Sequence, residues 1–117
     1  MIRLKRVYES RQAADGKRFL VERLWPRGVR KDALPMDGWL RDVAPSPELR
    51  SWFGHRPDRW AEFQLRYRQE LEASSAWQPL ADAARTGDVT LLFSARDVAH
   101  NAAAALKAFL EDRLHDA

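Results

Sequence analysis

Val89-Thr90-Leu91-Leu92-Phe93, leading into Ser94-Ala95-Arg96-Asp97, is the stretch that decides the fold. The first five residues carry no charge and are apolar on both alternating faces, the pattern of a strand covered by helices on either side. A strand with one wet face alternates polar and apolar residues instead. This segment is therefore read as the centre of a sheet. Immediately after the turn at 94–97, Ala99, Ala102, Ala103, Leu106, Phe109, Leu110 and Leu114 fall on one helical stripe.

Toward the N-terminus, residues 2–8 and 19–25 read as strands, with Asp15-Gly16 as the turn before the second. Their connection is short for a parallel crossover between adjacent strands. A polar loop rich in breakers runs from Arg27 to Pro35, and a short helical piece is predicted at 36–42, burying Met36, Trp39 and Leu40. Ser46-Pro47-Glu48 reads as N-cap, N1 proline and first-turn acid of a helix with Leu49, Trp52 and Phe53 inward, ended by Gly54. A second helix opens at Pro57-Asp58 and buries Trp60, Phe63, Tyr67 and Leu71. Ser75 with Gln78 resembles a capping box for a third helix carrying Trp77, Leu80, Ala81 and Ala84, with Gly87 as its stop. The order strand, strand, helices, strand, helix predicts an α/β fold: a small, mostly parallel sheet of three or so strands flanked by helices, in one compact domain over 1–117.

Composition narrows the chemistry. A chain of 117 residues with 45% apolar content supports a single core without staples. It has no cysteine, which removes disulfide frameworks, cysteine-zinc sites, iron-sulfur clusters and thiolate nucleophiles. His55, His100 and His115 form no metal-ligand spacing, and neither G-x-G-x-x-G nor a Walker A motif occurs, so no metal and no cofactor is expected. With no targeting signal and no run of about 18 apolar residues, no membrane association is expected, and cytoplasmic location is. Net charge is only +3, but residues 1–41 hold eleven Lys+Arg against five Asp+Glu. That excess, mostly arginine, points to an anionic small molecule or a nucleic acid as partner; a GC-rich genome accounts equally for the arginine bias.

Ligands of open α/β sheets bind beyond the carboxyl ends of the strands. Two segments end strands here: Arg23-Leu24-Trp25-Pro26-Arg27-Gly28, and Ser94 to Asn101. Arg23 sits in an apolar strand, where an unpaired charge is costly, and Glu22 is expected on the opposite face; Arg23 then pairs with Asp97, another internal acid or an anionic ligand. Asp97 is expected to cap the last helix, with His100 at N3 and Arg96 just ahead of it, where a guanidinium grips phosphate and an imidazole shuttles a proton. The plainer alternative, a capped helix with a surface arginine and a solvated histidine, stays open. Trp25 suits stacking on a base or ring, Gly28 close backbone approach or a simple turn. Ser94 has no G-x-S-x-G around it and no base preset beside it, so it is read as ligand-binding and not as a nucleophile.

Arg-Leu-Trp-Pro-Arg-Gly at 23–28, Trp39, Pro45-Ser46 with Leu49, the Trp60, Phe63, Tyr67, Glu70-Leu71 series, and Leu91 to Asp97 with His100-Asn101 resemble the YeaO-like branch of the domain-of-unknown-function 488 family. The resemblance covers nearly the whole chain and implies a compact bacterial or archaeal α/β fold with no settled activity. It adds weight to Arg23, Trp25, Pro26, Arg27, Gly28, Ser94, Arg96 and His100. Longer relatives tend to carry a cysteine near the late strand and D-x-R in the earlier one. Ser94 and Glu22-Arg23 stand there in this chain, so thiol-dependent chemistry does not carry over.

Two functions compete on these residues. One is a cofactor-free enzyme on a phosphate-bearing nucleotide or nucleic acid, held by Arg23, Trp25, Arg27, Gly28, Ser94 and Arg96, with Glu22, Asp97 and His100 as acid/base groups. The other is a non-catalytic nucleic-acid or anion-binding module, whose affinity for nucleic acid would fall steeply with salt.

Overall fold

The computed structural model describes residues 1–115. Among these residues four strands, β1 (Ile2–Arg6), β2 (Lys17–Leu20), β3 (Gly38–Trp39) and β4 (Val89–Phe93), form one sheet in the order β1-β4-β2-β3, with every pairing parallel. β4 is central and all five of its residues are buried, as its two apolar faces require. The short link between β1 and β2 is accommodated because the two strands are not neighbours; β4 lies between them, in register Leu4 to Leu91 and Phe19 to Leu91.

Four helices of the described residues follow the predicted stripes: α1 (Pro47–Phe53), α2 (Trp60–Glu72), α3 (Gln78–Thr86) and α4 (Ala102–His115). Their buried residues, among them Leu49, Phe53, Phe63, Tyr67, Leu80, Leu106 and Phe109, join Ile2, Val21, Val89, Leu91 and Phe93 in one apolar cluster. A second, smaller cluster is formed by Val7, Leu20, Leu34 and Leu92, packed against Trp25, Val29, Met36 and Trp39. Leu91 and Leu92 are consecutive on β4 and so point to opposite faces of the sheet, which sets the two clusters on either side of it. The start of β2 carries an ionic knot. Asp15, 2% exposed, accepts from Lys5 Nζ at 2.9 Å and from Arg18 at 2.6 Å, and Arg18 is itself 1% exposed.

Several local expectations are corrected. The second strand is Lys17–Leu20 and not 19–25, because beyond Leu20 the chain leaves the ladder. Residues 36–42 form no α-helix. Asp37 N donates to Arg18 O and Leu40 N to Leu20 O, so this piece zips onto β2 as a fourth strand of two residues, followed by a 3-10 turn at Arg41–Val43. The Ser75–Gln78 capping box is absent: Gln78 is the first residue of α3, whose N-cap is Trp77 without a side-chain cap bond. α3 does stop at Gly87, its C-cap, but there the backbone is extended (φ 175°), whereas Gly54 ends α1 in the left-handed region (φ 53°). The last helix begins at Ala102, so Asp97 is not its cap and His100 is not its third residue. Asn101 caps it, accepting from Ala104 N at 2.9 Å.

Candidate functional site

A cavity of about 520 Å³ opens beyond the carboxyl ends of β2 and β4, at the N-terminal end of α4. Both strand exits contribute to it, Glu22 and Arg23 from one, Ser94, Arg96 and Asp97 from the other. α1 and the turn after it add Arg50, Phe53 and His55, α2 adds Phe63, and the start of α4 adds Ala102 and Ala103 behind their cap, Asn101. The wall is mainly apolar with a few convergent polar groups, the usual make-up of a small-molecule site.

Glu22 and Ser94 join the two exits: Ser94 Oγ donates to Glu22 Oε2 at 2.9 Å. The sequence presets no base beside Ser94; the fold brings a carboxyl to it. Burial pushes the Glu22 carboxyl above its ordinary value, against hydrogen bonding from Ser94 and the nearby charges of Arg50 and His55. Its other oxygen, Oε1, is buried without a partner among the described residues. Because the strand ends at Leu20, Glu22 and Arg23 do not alternate between opposite faces as the longer strand required; both line the cavity. Among the described residues Arg23 pairs with no carboxylate, and its buried Nε has no partner. Its Nη2 donates to Ala44 O at 3.2 Å and Pro45 O at 3.4 Å.

Arg96 is exposed on the cavity wall and, like Arg50, has no ion pair among the described residues. Asp97 closes the turn ahead of α4: Oδ1 accepts from Ala99 N and His100 N, each at 3.0 Å, and Oδ2 lies 2.9 Å from His100 Nδ1. The His100 hydrogen bond holds the Asp97 carboxyl below its ordinary value. His100 itself does not line the cavity; its ring meets Trp60 edge-on at 5.4 Å.

Trp25, Arg27 and Gly28 also lie outside the cavity. Trp25 donates from Nε1 to Val29 O at 2.6 Å and packs edge-on against Trp39 at 5.2 Å, closing the second apolar cluster. Arg27 and Gly28 are exposed, and Gly28 takes a positive φ of 76° with open space around it. The sequence reading leaves out Arg50, Phe53, His55 and Phe63 as site residues, although all four line the cavity. One signal bears on His55: it follows the helix-ending Gly54 and holds a left-handed φ of 57°, a conformation a non-glycine residue adopts at a cost. No group of residues suited to hold a metal ion occurs among the described residues. No described helix is long and apolar enough to cross a membrane.

The model of the DUF488-N3i family, described as the inactive DUF488-N3 subclade, matches residues 1–117. The chain belongs to this family. Uncharacterised proteins of Mycobacterium tuberculosis and Mycobacterium bovis are each 44% identical to it over 112 residues, covering 96% of this chain and 95% of theirs. The uncharacterised protein YeaO of Escherichia coli is 40% identical over 110 residues, 93% of this chain and 96% of its own. No solved structure matches the chain. The family is thus the one that the R-L-W-P-R-G and S-A-R-D segments resemble.

Proposed function

We propose that the protein is a non-catalytic binder of a phosphate-bearing small molecule of the nucleotide class, held in the cavity at the strand exits. One observation carries this reading: three arginines, Arg23, Arg50 and Arg96, line a mainly apolar cavity and none has a carboxylate partner among the described residues. The wall also carries the carboxylates of Glu22 and Asp97, but neither forms an ion pair with these arginines among the described residues: Glu22 accepts from Ser94, and Asp97 is held by His100. Guanidinium groups left unpaired beside a concave surface suit bidentate recognition of phosphate, and Phe53, Phe63 and Phe93 supply walls for a ring. The family description, inactive, supports the absence of turnover.

A cofactor-free enzyme is the second reading, favoured by the contact between Ser94 Oγ and Glu22, a carboxyl whose affinity for protons is raised. One experiment separates the two. Thermal-shift and calorimetric titrations with nucleoside monophosphates are expected to stabilise the protein, and Arg96→Ala to weaken binding about tenfold or more. The recovered ligand is expected unchanged by chromatography. Product formation abolished by Glu22→Gln establishes the enzyme instead, and no binding of any phosphate-bearing ligand overturns both.

A further inference from the structure

Both strand exits that build the cavity lead outward to one exposed ring, that of Tyr8. At the end of β1, Arg6 donates from Nε to Ala95 O at 3.0 Å and from Nη2 to Ser94 O at 3.1 Å, so its guanidinium is seated against two residues of the cavity wall. The carbon of the same guanidinium lies 4.8 Å from the centre of the Tyr8 ring. From the other exit, Glu22, Arg23 and Leu24 line the cavity, and farther along that segment Arg27 O accepts from Tyr8 Oη at 3.2 Å. Tyr8 is 52% exposed although it is a large aromatic residue, and Arg27 is exposed beside it. Neither Arg6 nor Arg27 forms an ion pair among the described residues; the acid at this end, Glu9, accepts from Arg6 N at 2.8 Å. A cation, an open ring and a second cation therefore continue the cavity wall as one surface.

We propose, resting on the nucleotide reading of the cavity, that its nucleotide is one unit of a single-stranded nucleic acid, whose neighbouring unit stacks at Tyr8 with its phosphates beside Arg6 and Arg27. Single strands are held in this way: bases stack on aromatic faces in turn, and the backbone follows the positive charges between them. A cavity that encloses one base is closed to a base paired in a duplex, so the strand is single. An acidic peptide would use the two arginines and leave the ring idle. The path needs no rearrangement of the fold, because the Tyr8 ring and Arg27 are already at the surface.

The test compares thymidine monophosphate with a phosphorylated oligothymidylate of about four units, a length that one binding surface of this kind takes up. Calorimetric titration of the full chain is expected to give the oligomer about fivefold tighter binding or more, with a steeper fall as salt rises. Tyr8→Leu is expected to remove that gain and to leave the affinity for the monophosphate as it is. Arg27→Gln is expected to lower the oligomer's salt slope by about 0.7, the contribution of one phosphate contact to a single strand. Both side chains are exposed, so both variants are expected to melt with the wild type. Monophosphate binding with no gain from length overturns this inference and leaves the nucleotide reading standing. A gain that survives both substitutions with its salt slope unchanged overturns it as well, and no binding of either ligand overturns both readings.

Discussion

Ser94 Oγ reaches across 72 positions of sequence to donate to Glu22 Oε2 at 2.9 Å. The bond ties the exit of the central strand β4 to the segment that follows β2. Parallel strands bring their carboxyl ends to the same edge, so residues remote in sequence meet there without any further device. The consequence is a carboxyl held in a mostly apolar wall, oriented by a hydroxyl and close to the charges of Arg50 and His55.

Burial raises the Glu22 pKa above its ordinary 4.5, so the folded protein holds this proton more tightly than the unfolded chain. Protonation then favours the fold. The stability it contributes is present at low pH and is lost as pH rises from the unfolded value through the raised folded one. Glu22→Gln removes that loss while keeping an acceptor for Ser94. The variant is expected to melt above the wild type at neutral pH, with the difference closing on acidification. Thermal melts between about pH 4 and about pH 8 check this; a variant that melts lower at every pH contradicts it.

Asp15 shows the opposite sign. Burial alone would raise its pKa, but hydrogen bonds from Lys5, the Gln12 amide and Arg18 outweigh it and hold the carboxyl at about 2, against an ordinary 3.8. Its stabilisation is complete above the unfolded value and is lost as pH falls through the folded one. Asp15→Asn leaves Arg18, 1% exposed, and the largely buried Lys5 without a counter-charge. Removing one partner of a buried ion pair costs about 3–5 kcal/mol, and urea denaturation at neutral pH is expected to show a loss of that size.

How much of this is legible in the chain depends on whether a signal is local. β4 is readable because five apolar or uncharged residues in a row leave no wet face, and α1 because Ser46 caps it, accepting from Leu49 N at 3.1 Å. β3 is not readable. Two residues carry no period, and what makes them a strand is pairing with β2 along Arg18 to Leu20, a tertiary event. The alternation from Phe19 to Trp25 misleads for a related reason: Val21 serves the main core and Trp25 the second cluster, so apolar spacing continues where the ladder does not. The Glu22, Arg23, Ser94 and Arg96 part of the cavity is legible from strand ends. Arg50 and His55 are not, since the helix stripe around them specifies only which residues face the core.

Two glycines with positive φ separate backbone strain from crowding. A Cβ on Gly16 (φ 64°) would lie 2.2 Å from Asp88 O, the carbonyl that accepts from Lys17 N where β2 begins. A Cβ on Gly28 (φ 76°) would meet nothing within 4 Å. Gly28→Ala is expected to cost about 1–2 kcal/mol, the left-handed penalty alone. Gly16→Ala adds an overpacking term, for a total of about 2–5 kcal/mol. Chemical denaturation midpoints of the two variants measure the difference, and equal losses would show that the Asp88 carbonyl yields freely.

The start of α4 offers the sharpest contrast between two side chains that the sequence makes look alike. Asp97 and Asn101 are both residue types that cap helices, and each accepts a backbone N–H three residues on, His100 N for Asp97 and Ala104 N for Asn101. Only Asn101 does so at a helix of 14 residues, and only Asn101 is buried, at 3% exposure. Its amide also donates to Asp97 O at 2.8 Å, which fastens the preceding turn to the helix. Asn101→Ala therefore loses a cap and a buried donor together, and about 1–2 kcal/mol of stability is expected to go with them. Asp97→Ala loosens a half-exposed turn and leaves the cap in place, so amide exchange at Ala104 is expected to stay slow in this variant and to accelerate in Asn101→Ala. Ala102 and Ala103 form part of the cavity wall, so fraying there is also expected to weaken the proposed nucleotide binding in Asn101→Ala although the substitution leaves every arginine in place.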